Sequence, residues 1–421
     1  MRSITFVTAC LLGAVAFDSA AGSLPGSMLI PADKIYVSPE AKPLLQGSVL
    51  ISDGRIVGVA DERSRLAIPK GTQTSQCRGV VVAGFQNSHV HFMGPGFADA
   101  ARKPAAELQG AVEAMLTRYG VTTAFDTGSD QPNTVALRSR IERGELNGPR
   151  ILTAGWPLYP PNGIPFYLRD LPKHILDGLH QPATGDEARA NVRTNLDAGA
   201  DGTKLFMVTS SKPGEALPLP ADVARAAADE THSRGKLLLA HPTSLAGIRA
   251  ALDVGVDVIV HTTLGEKAPW DAALVREMIA KKMSVIPTFK LWPFELAKQN
   301  VPQEIVDRLV GSTLEELRVF HAAGGQILFG TDVGYMHEFD PTEEYVWMSR
   351  AGLGAMDILA SLTTAPAERW KESARRGRIQ PGMDADIVVL AADPAEDVRN
   401  FSKVRCVFRG GRLIYTAPPA S

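Results

Sequence analysis

The stretch LPADVARAAADETHSRGKLLLAHPTSLAGIRAALDVGVDVIVHTT, residues 219–263, decides the fold. It starts with an amphipathic helical segment that ends in a glycine and continues into a short apolar run typical of a strand, and the same order then repeats. Glycine suits the left-handed backbone that ends a helix, so it marks each turn from helix to strand. Because strands alternate with helices, we expect neighbouring strands to pair in parallel.

The same alternation fills the middle of the chain. Strand-like apolar runs occur at eight places, which are residues 81–85, 121–126, 150–154, 203–208, 236–240, 257–260, 283–288 and 326–331. Eight such strands across ~250 residues fit a (β/α)8 barrel. A doubly wound parallel sheet is the alternative, although no glycine-rich dinucleotide motif follows the first run. The sequence therefore predicts an α/β fold, with a (β/α)8 TIM barrel over residues 79–375.

The two ends of the chain have a different sequence pattern, in which alternating apolar runs flank short turns. The segment GSVLISDGRIVGVA, residues 47–60, places an Asp-Gly turn between two alternating apolar runs, which indicates a hairpin. The segment KVRCVFRGGRLIY, residues 403–415, repeats this pattern around a Gly-Gly turn. We therefore expect residues 22–78 and 376–421 to form one small β-sandwich domain built from both ends.

Composition narrows the class of protein. Of the 421 residues, 45% are hydrophobic and 21% are charged, which is ordinary for a globular chain with a large core and argues against disorder. The formal net charge of -2 gives no electrostatic basis for binding nucleic acid or an anionic membrane. A small-molecule substrate is the expected partner, and a homo-oligomer stays open.

The first 21 residues are typical of a secretory signal peptide. Arg2 precedes an uncharged, mostly apolar run over residues 4–17, and small residues follow at 19–21. A run of this length is too short to span a ~30 Å hydrocarbon core, so no stable membrane anchor is expected. The sequence predicts an exported protein, periplasmic or secreted if the source is a bacterium.

Two cysteines, Cys77 and Cys406, remain outside that segment. An oxidising compartment permits a disulfide between them. Neither has the paired spacing of a zinc–cysteine site. Two isolated, buried thiols are the interpretation that we favour from the sequence, with the bridge as the alternative.

Metal-ligating side chains fall at the ends of the predicted strands. Five of them follow four different strands: His89, His91, His241, His261 and Asp332. The carboxyl ends of barrel strands surround one mouth, where catalytic groups gather. Residues two positions apart on a strand point to the same face, so the side chains of His89 and His91 can both point inward. Imidazole and carboxylate are the usual ligands of a catalytic zinc that keeps a position open for water, so the set predicts a metal site.

Lys204 lies on the predicted fourth strand, in DGTKLFMV. A charged lysine is a poor metal ligand, but burial lowers the pKa of a lysine towards the neutral amine. A neutral lysine can capture carbon dioxide as a carbamate, whose two oxygens can bridge two cations. The residue chemistry leaves two alternatives open, which are an ion pair at the barrel rim and a Schiff-base nucleophile.

The chain resembles the amidohydrolase superfamily, most nearly its imidazolonepropionase-related binuclear amidases and peptidases. The resemblance covers nearly the whole chain after the signal segment, through VLISDGRIVGVA, GFQNSHVHF, GVTTAFDTG and GRIQPGMDADIVVL, and through the order His-x-His, Lys, His, His, Asp. It implies two divalent metal ions, zinc by default. The more buried ion is expected on His89, His91 and Asp332, and the second on His241 and His261, with carboxylated Lys204 bridging both. Imidazolonepropionase proper uses one metal and lacks the lysine.

The chain also departs from that branch. Many relatives have a second histidine two residues beyond the fifth-strand ligand, whereas Pro242 and Thr243 follow His241 here. Many also have a Gly-Gly-His element after the third strand, where this chain has WPLYPPNGIPFY, residues 156–167. The resemblance implies that those histidines help to hold substrate in such relatives, so the departures argue against a simple dipeptidase and leave the metal set intact.

The expected reaction is hydrolysis of an amide (C–N) bond in a small substrate such as a dipeptide or an N-acyl or N-aroyl amino acid. Two cations would bridge a hydroxide that attacks the carbonyl, and Asp332 would act first as base and then as acid. A lactone or cyclic-amide hydrolase is the alternative, because the same hydroxide attacks those carbonyls. A binding protein with a degenerate site would lack ligands, but all six expected positions are filled.

Three residues in the loops after strands seven and eight are candidate substrate contacts. Lys290 can pair with a substrate carboxylate, and Tyr335 or His337 can stabilise the developing oxyanion. The alternative for each is a solvated loop residue. The long third loop carries aromatic side chains that suit an apolar acyl group or pack on one another: Trp156, Tyr159, Phe166 and Tyr167.

Overall fold

The computed structural model describes residues 26–212, 214–266 and 269–418. The predicted signal peptide, residues 1–21, lies outside these residues. Within the described part of the chain, no helix combines the length and the apolar character needed to cross a membrane.

The described strands, in chain order, are β1 (Met28–Ile35), β2 (Leu44–Ser52), β3 (Arg55–Ala60), β4 (Gln73–Thr74), β5 (Val80–Ala83), β6 (Phe85–Val90), β7 (Val121–Asp126), β8 (Arg150–Thr153), β9 (Gly202–Phe206), β10 (Val208–Thr209), β11 (Leu217–Pro218), β12 (Leu237–His241), β13 (Val258–Val260), β14 (Ser284–Ile286), β15 (Ile387–Leu390), β16 (Val404–Arg409) and β17 (Arg412–Thr416). The described helices are α1 (Ala105–Met115), α2 (Gln131–Glu142), α3 (Lys173–Gly178), α4 (Gly185–Asp197), α5 (Ala221–Ser233), α6 (Leu245–Val254), α7 (Ala272–Ala280), α8 (Leu291–Lys298), α9 (Gln303–Ala322), α10 (Thr342–Arg350), α11 (Ala355–Leu362) and α12 (Thr364–Arg369).

Both ends of the chain meet in one sheet. Its strand order is β17-β16-β15-β5-β1-β2-β3, with β4 beside β1. The join between the two ends is the antiparallel pairing of β5 with β15. The inward residues Ile30, Val49, Val81 and Ile387 are fully buried in a shared apolar cluster. The ends thus come together as the sequence predicts, but in a single sheet, so the two layers of a sandwich are not confirmed.

The middle of the chain alternates strands with helices, which confirms the α/β class. Two parallel sheets result, with orders β6-β7-β8 and β14-β13-β12-β9. The unit β12–α6–β13 has the order of strand, helix and strand that the pattern in residues 219–263 predicts. The hydroxyl of Ser244 caps α6 by accepting from the Gly247 amide at 3.3 Å, and Gly255 ends the helix with φ 83. Among the described residues, the regular strands do not close into one ring of eight.

Two strand predictions at the ends of the series need correction. The predicted first strand, 81–85, is divided: β5 belongs to the sheet of the chain ends, and β6 begins at Phe85. The Gly84 amide donates to Asp386 O at this junction. The predicted eighth strand, 326–331, is not a regular strand, although its backbone bonds to β14 through Val285 and to β6 through Ser88. Both segments are buried apolar runs, and the run alone does not tell which sheet it joins.

Cys77 and Cys406 form a disulfide, with Cα atoms 6.2 Å apart. The expectation of two isolated thiols is therefore wrong. The two cysteines are separated by 329 positions along the chain. They come together because the sheet of the chain ends places β16 and the approach to β5 on either side of β15, a proximity that sequence spacing does not reveal.

Candidate active site

Three ligand atoms meet where β6 ends. The Nε2 atoms of His89 and His91 lie 3.2 Å apart. Asp332 Oδ1 lies 3.0 Å from the second of these atoms and 3.3 Å from the first. The Asp332 amide donates to His89 O at 2.9 Å, so the backbone itself fixes the carboxylate beside β6. The structure thus joins His89, His91 and Asp332 into one group that could hold a metal ion.

The loop after β7 orients His91. The imidazole Nδ1 lies 2.6 Å from Gly128 O, and a carbonyl only accepts, so Nδ1 carries the proton. Nε2 is then the unprotonated nitrogen that faces His89 and Asp332. Behind this loop, the buried carboxylate of Asp126 accepts from the Gly128 amide at 3.1 Å and from the Ser129 hydroxyl at 2.6 Å.

The loop after β14 orients His261 in the same way. Thr288 Oγ1 lies 2.5 Å from His261 Nδ1 and donates to Pro287 O at 2.8 Å. Since the hydroxyl has one proton and gives it to the carbonyl, it accepts from Nδ1–H of the imidazole. Nε2 of His261 is therefore unprotonated. The His261 ring lies 4.8 Å from the ring of His89 and 4.7 Å from that of His241, so it connects these two histidines.

Lys204 lies beside this cluster on β9. The residue is 1% exposed, and its register partner Leu239 lies on β12, the strand that ends at His241. Its ammonium is 5.4 Å from the Phe206 ring, which stacks on His241 at 4.7 Å. Burial lowers the pKa of Lys204 to about 7, against the opposing charge of Asp332. A large share of the side chain is therefore a neutral amine at neutral pH.

Burial also sets the charge of three histidines of the site. It lowers the pKa of His89 to about 4 and that of His241 to about 3, and it holds that of His261 well below its usual value. Burial alone would raise the pKa of Asp332, but its proximity to His89 and His91 keeps it well below its usual value. Neutral imidazoles beside an ionised carboxylate are the protonation states that a cation requires.

The geometry of the group fits a divalent cation. Ligand bonds of ~2.0–2.2 Å in a tetrahedral arrangement place neighbouring ligand atoms roughly 3.4 Å apart, close to the edges of 3.0, 3.2 and 3.3 Å found here. Buried Asp332 Oδ1 also has no hydrogen-bond partner among the described residues. The lone pair of His91 and this oxygen repel each other unless a proton or a cation lies between them.

The three candidate substrate contacts lie in different environments. Lys290 directly precedes α8 and is buried, and its ammonium donates to the carbonyl of Asp340. Tyr335 is half-buried and donates its hydroxyl to Glu295 at 2.8 Å. His337 is exposed. A contact between any of them and a substrate stays a prediction.

The aromatic side chains of the third loop divide into two sets. Tyr159 is buried and stacks on Phe206 with ring centres 4.4 Å apart, and Phe206 in turn stacks on His241. Tyr167 is 42% exposed and meets Tyr335 edge to face at 5.9 Å. Phe166 is also exposed, and Trp156 is partly buried. The third loop therefore reaches the loop that follows Asp332, and it leaves aromatic surface in contact with solvent there.

Sequence reasoning missed three buried carboxylates that hold the loops of the site: Asp126, Glu316 and Glu344. Asp126 had a usable signal, because it is an acidic residue at the end of the apolar run GVTTAFD. The two glutamates lie in helices α9 and α10, where charged residues are common and carry no such signal.

Histidines at the ends of parallel strands, with a carboxylate and a buried lysine beside them, are typical of a hydrolase site. The family model described as "Amidohydrolase family" matches residues 80–414, which is most of the chain. The protein therefore belongs to the amidohydrolase family and is a hydrolase that acts on carbon–nitrogen bonds. The predicted membership is confirmed.

Similar proteins match over nearly the full chain. An ochratoxinase from Aspergillus niger is 25% identical over 436 aligned positions, which span 92% of this chain and 85% of that protein. Among solved structures, an Xaa-Pro dipeptidase with bound methionine has a TM-score of 0.78 at 22% identity, covering 93% of this chain and 100% of that one. A protein described as a prolidase from Bifidobacterium longum has a TM-score of 0.77 at 25% identity, covering 94% and 97%.

Proposed function

We propose that the protein is a metal-dependent amidohydrolase that cleaves the amide bond of a dipeptide or of an N-acyl or N-aroyl amino acid. The observation that carries this proposal is the triangle of His89, His91 and Asp332, with edges of 3.0–3.3 Å, beside a lysine whose pKa is lowered to about 7. The similar Xaa-Pro dipeptidase supports the dipeptide class by its name.

Two divalent cations, with zinc as the default, are the proposed cofactors. His89, His91 and Asp332 would hold the first and His241 and His261 the second, with a carbon dioxide-derived carbamate on Lys204 between them. The neutral fraction of the buried lysine supports the carbamate, because only an unprotonated amine attacks carbon dioxide. Bound cations would supply a water of lowered pKa and would polarise the scissile carbonyl.

Asp332 is the proposed catalytic residue. Its pKa lies well below the usual value, so the carboxylate is ionised at neutral pH. It can therefore accept the proton of the attacking water at a carboxylate oxygen and pass it to the departing amide nitrogen, acting as base and then as acid. The backbone bond from its amide to His89 O keeps the carboxylate in place during both transfers.

We also propose that the two parallel sheets are parts of one (β/α)8 barrel over residues 79–375, with 22–78 and 376–421 as the second domain. Segment 326–331 bonds to both β14 and β6, which supports closure on one side. On the other side, the Asp201 amide donates to Thr153 O at 2.6 Å, and the Leu158 amide donates to Lys204 O at 2.9 Å. These bonds connect β8 and the loop that follows it to β9 and the residue that precedes it.

Substrate selection is proposed to lie with the loops around Asp332. The exposed rings of Phe166 and Tyr167 support an apolar or aromatic acyl group. Lys290 has three N–H donors and uses one on Asp340 O, so it can still pair with a substrate carboxylate. The hydroxyl of Tyr335 would have to leave Glu295 to serve an oxyanion, and exposed His337 is the alternative donor.

We propose export following removal of residues 1–21, to the periplasm or the medium if the source is a bacterium. The disulfide between Cys77 and Cys406 supports this location, because such bonds persist in oxidising compartments.

The proposed activity is tested with a panel of dipeptides, N-acyl and N-aroyl amino acids, and lactones. We expect hydrolysis of one or more amides by the metal-loaded protein, and loss after chelation with recovery on adding zinc. The Asp332→Asn variant should lower kcat at least 100-fold, a typical size for a lost acid–base group. Hydrolysis of lactones without any amide would replace the proposal by the lactone or cyclic-amide alternative, and full turnover in a metal-loaded Asp332→Asn variant would exclude the proton-transfer role.

A further inference from the structure

Two fully buried glutamates lie behind the loops that carry His261 and its partner Thr288. Glu316 is on α9 and Glu344 is on α10, and both are 0% exposed. A carboxylate is costly to bury unless its oxygens accept hydrogen bonds. The positions of those bonds therefore show what each glutamate holds.

Glu316 holds the loop after β13. One carboxylate oxygen accepts from the Thr263 amide at 2.7 Å, and the other accepts from the Thr263 hydroxyl at 2.5 Å. The indole N–H of Trp270 donates to the same hydroxyl at 3.2 Å. Thr263 is therefore fixed through both its backbone and its side chain, two residues after His261.

Glu344 holds the loop after β14. Its Oε1 accepts from the Phe289 amide at 2.9 Å, and its Oε2 accepts from the Lys290 amide at 3.0 Å. These are the two residues that directly follow Thr288. Both carboxylate oxygens are used on backbone donors, so this glutamate fixes the path of the main chain.

The two fixed loops meet at one hydrogen bond, the 2.5 Å contact of His261 Nδ1 with Thr288 Oγ1. Both residues have a left-handed backbone, with φ 81 at His261 and φ 48 at Thr288. Residues with a side chain rarely adopt this conformation, and it persists only where the surroundings impose it. Each of the two is followed within two residues by amides that a buried glutamate binds.

We propose that Glu316 and Glu344 are positioning residues that keep Nε2 of His261 aimed into the site, and that they thereby set the affinity for the second cation. This inference rests on the proposed function in assigning a cation to His241 and His261. Among the described residues, neither glutamate hydrogen-bonds to the first group of ligands. The loop after β7 orients His91, and the Asp332 amide bonds to His89 O. Loss of the glutamates should therefore act on one cation and leave the other bound.

The test uses the Glu316→Gln and Glu344→Gln variants of the full chain. Glutamine keeps the size of the side chain but offers one acceptor oxygen instead of two. At position 344 a backbone N–H then faces the NH₂ group, whereas at position 316 the Thr263 hydroxyl can turn and accept from it. Thr313→Val is the matched control. Thr313 is buried on α9 one turn before Glu316, and its hydroxyl bonds only within the helix, to Val310 O.

Zinc affinity is measured by titration against a chelator. We expect the second zinc to bind 10–100-fold more weakly in Glu344→Gln and in the double variant, as for other changes behind a metal ligand, and to be weakened by a smaller factor in Glu316→Gln. The first zinc should bind as in the wild type. The control should match the wild type at both sites. Equal weakening of both ions would overturn the inference, because it would indicate general loosening, and so would unchanged affinities in the double variant.

A second readout needs no metal. Nitrogen-15 NMR of the metal-free protein should show His261 with its proton on Nδ1 in the wild type and the control, and a mixture of tautomers in the glutamine variants. An unchanged tautomer in the double variant would also overturn the inference. If two zinc ions bind with the expected pattern but no amide is hydrolysed, the proposed function fails while the positioning role stands.

Discussion

At the scale of single residues, burial decides the charge of the site. His89, His241 and His261 are neutral because desolvation disfavours the imidazolium form. Burial also lowers the pKa of Lys204 to about 7, so a large share of its side chain is uncharged at neutral pH. The site therefore presents lone pairs at neutral pH, which is what a cation or carbon dioxide needs from these side chains.

These shifts predict how the stability of the metal-free protein depends on pH. The folded pKa values of about 4 for His89 and about 3 for His241 lie below the unfolded value of 6.5. As the pH falls, the unfolded chain binds protons at these two histidines that the folded protein does not bind. Their contribution to the free energy of unfolding is therefore fully present well above pH 6.5 and is lost as the pH falls. At pH 5 each histidine should cost about 2 kcal/mol relative to pH 7.

Denaturant unfolding at pH 7 and pH 5 measures this loss. A His89→Asn, His241→Asn double variant is the control and should lose less free energy of unfolding over the same interval. An equal loss in both proteins, or no loss in the wild type, would contradict the assigned neutral state.

The sequence could predict the metal-type residues because they end strands, and the ends of parallel strands converge. His89, His91 and Asp332 do meet, and His261 connects them to His241. It could not predict Glu316 or Glu344, because their role depends on which backbone amides the packed helices face. Periodicity along a helix carries no information on that point.

At the scale of elements, buried carboxylates hold the loops that follow the strands through hydrogen bonds. Asp126, at the end of β7, accepts four hydrogen bonds: from the Gly128 amide at 3.1 Å and the hydroxyls of Ser129 at 2.6 Å, Thr134 at 2.9 Å and Thr153 at 3.0 Å. These bonds join β7, α2 and β8. They also fix the carbonyl of Gly128, which orients His91.

Asp126→Asn should therefore destabilise the protein by about 2–4 kcal/mol, because the new NH₂ group faces buried donors. Ser129→Ala removes one donor and should cost about 1 kcal/mol. The free energy of unfolding of the metal-free proteins is the measurement. If the asparagine variant were within about 0.5 kcal/mol of the wild type, this account of the loop would be wrong.

The sequence predicts the existence of most strands better than their partners. The runs at β7, β9, β12 and β13 lie where the apolar pattern places them. The run at 81–85 divides between two sheets because β5 and β6 are both buried and apolar. Pairing is decided by the tertiary contact with β15, which lies some 300 residues further on.

At the scale of the whole molecule, one covalent bond fastens the sheet of the chain ends. The disulfide between Cys77 and Cys406 closes a loop of 329 positions around the residues of the site. The sequence could predict that the ends meet, because both carry hairpin patterns. It could not predict that these two thiols face each other across strands.

Replacing Cys77 and Cys406 by alanine should lower the free energy of unfolding by about 2–5 kcal/mol, since the cross-link restricts the unfolded chain. Zinc binding should be unaffected, because neither cysteine lies in the site. A reductant should destabilise the wild type and have no effect on the double variant. Equal stability of the wild type with and without reductant would contradict a bridge that stabilises the fold.

The most direct test of the account is the number of divalent metal ions per chain in the purified protein, by elemental mass spectrometry, with Lys204→Ala alongside. The account predicts about two ions in the wild type and a clear loss in the variant. One ion, unchanged by the substitution, would contradict the bridged site, and the absence of any ion after loading with zinc would contradict the metal-dependent mechanism as a whole.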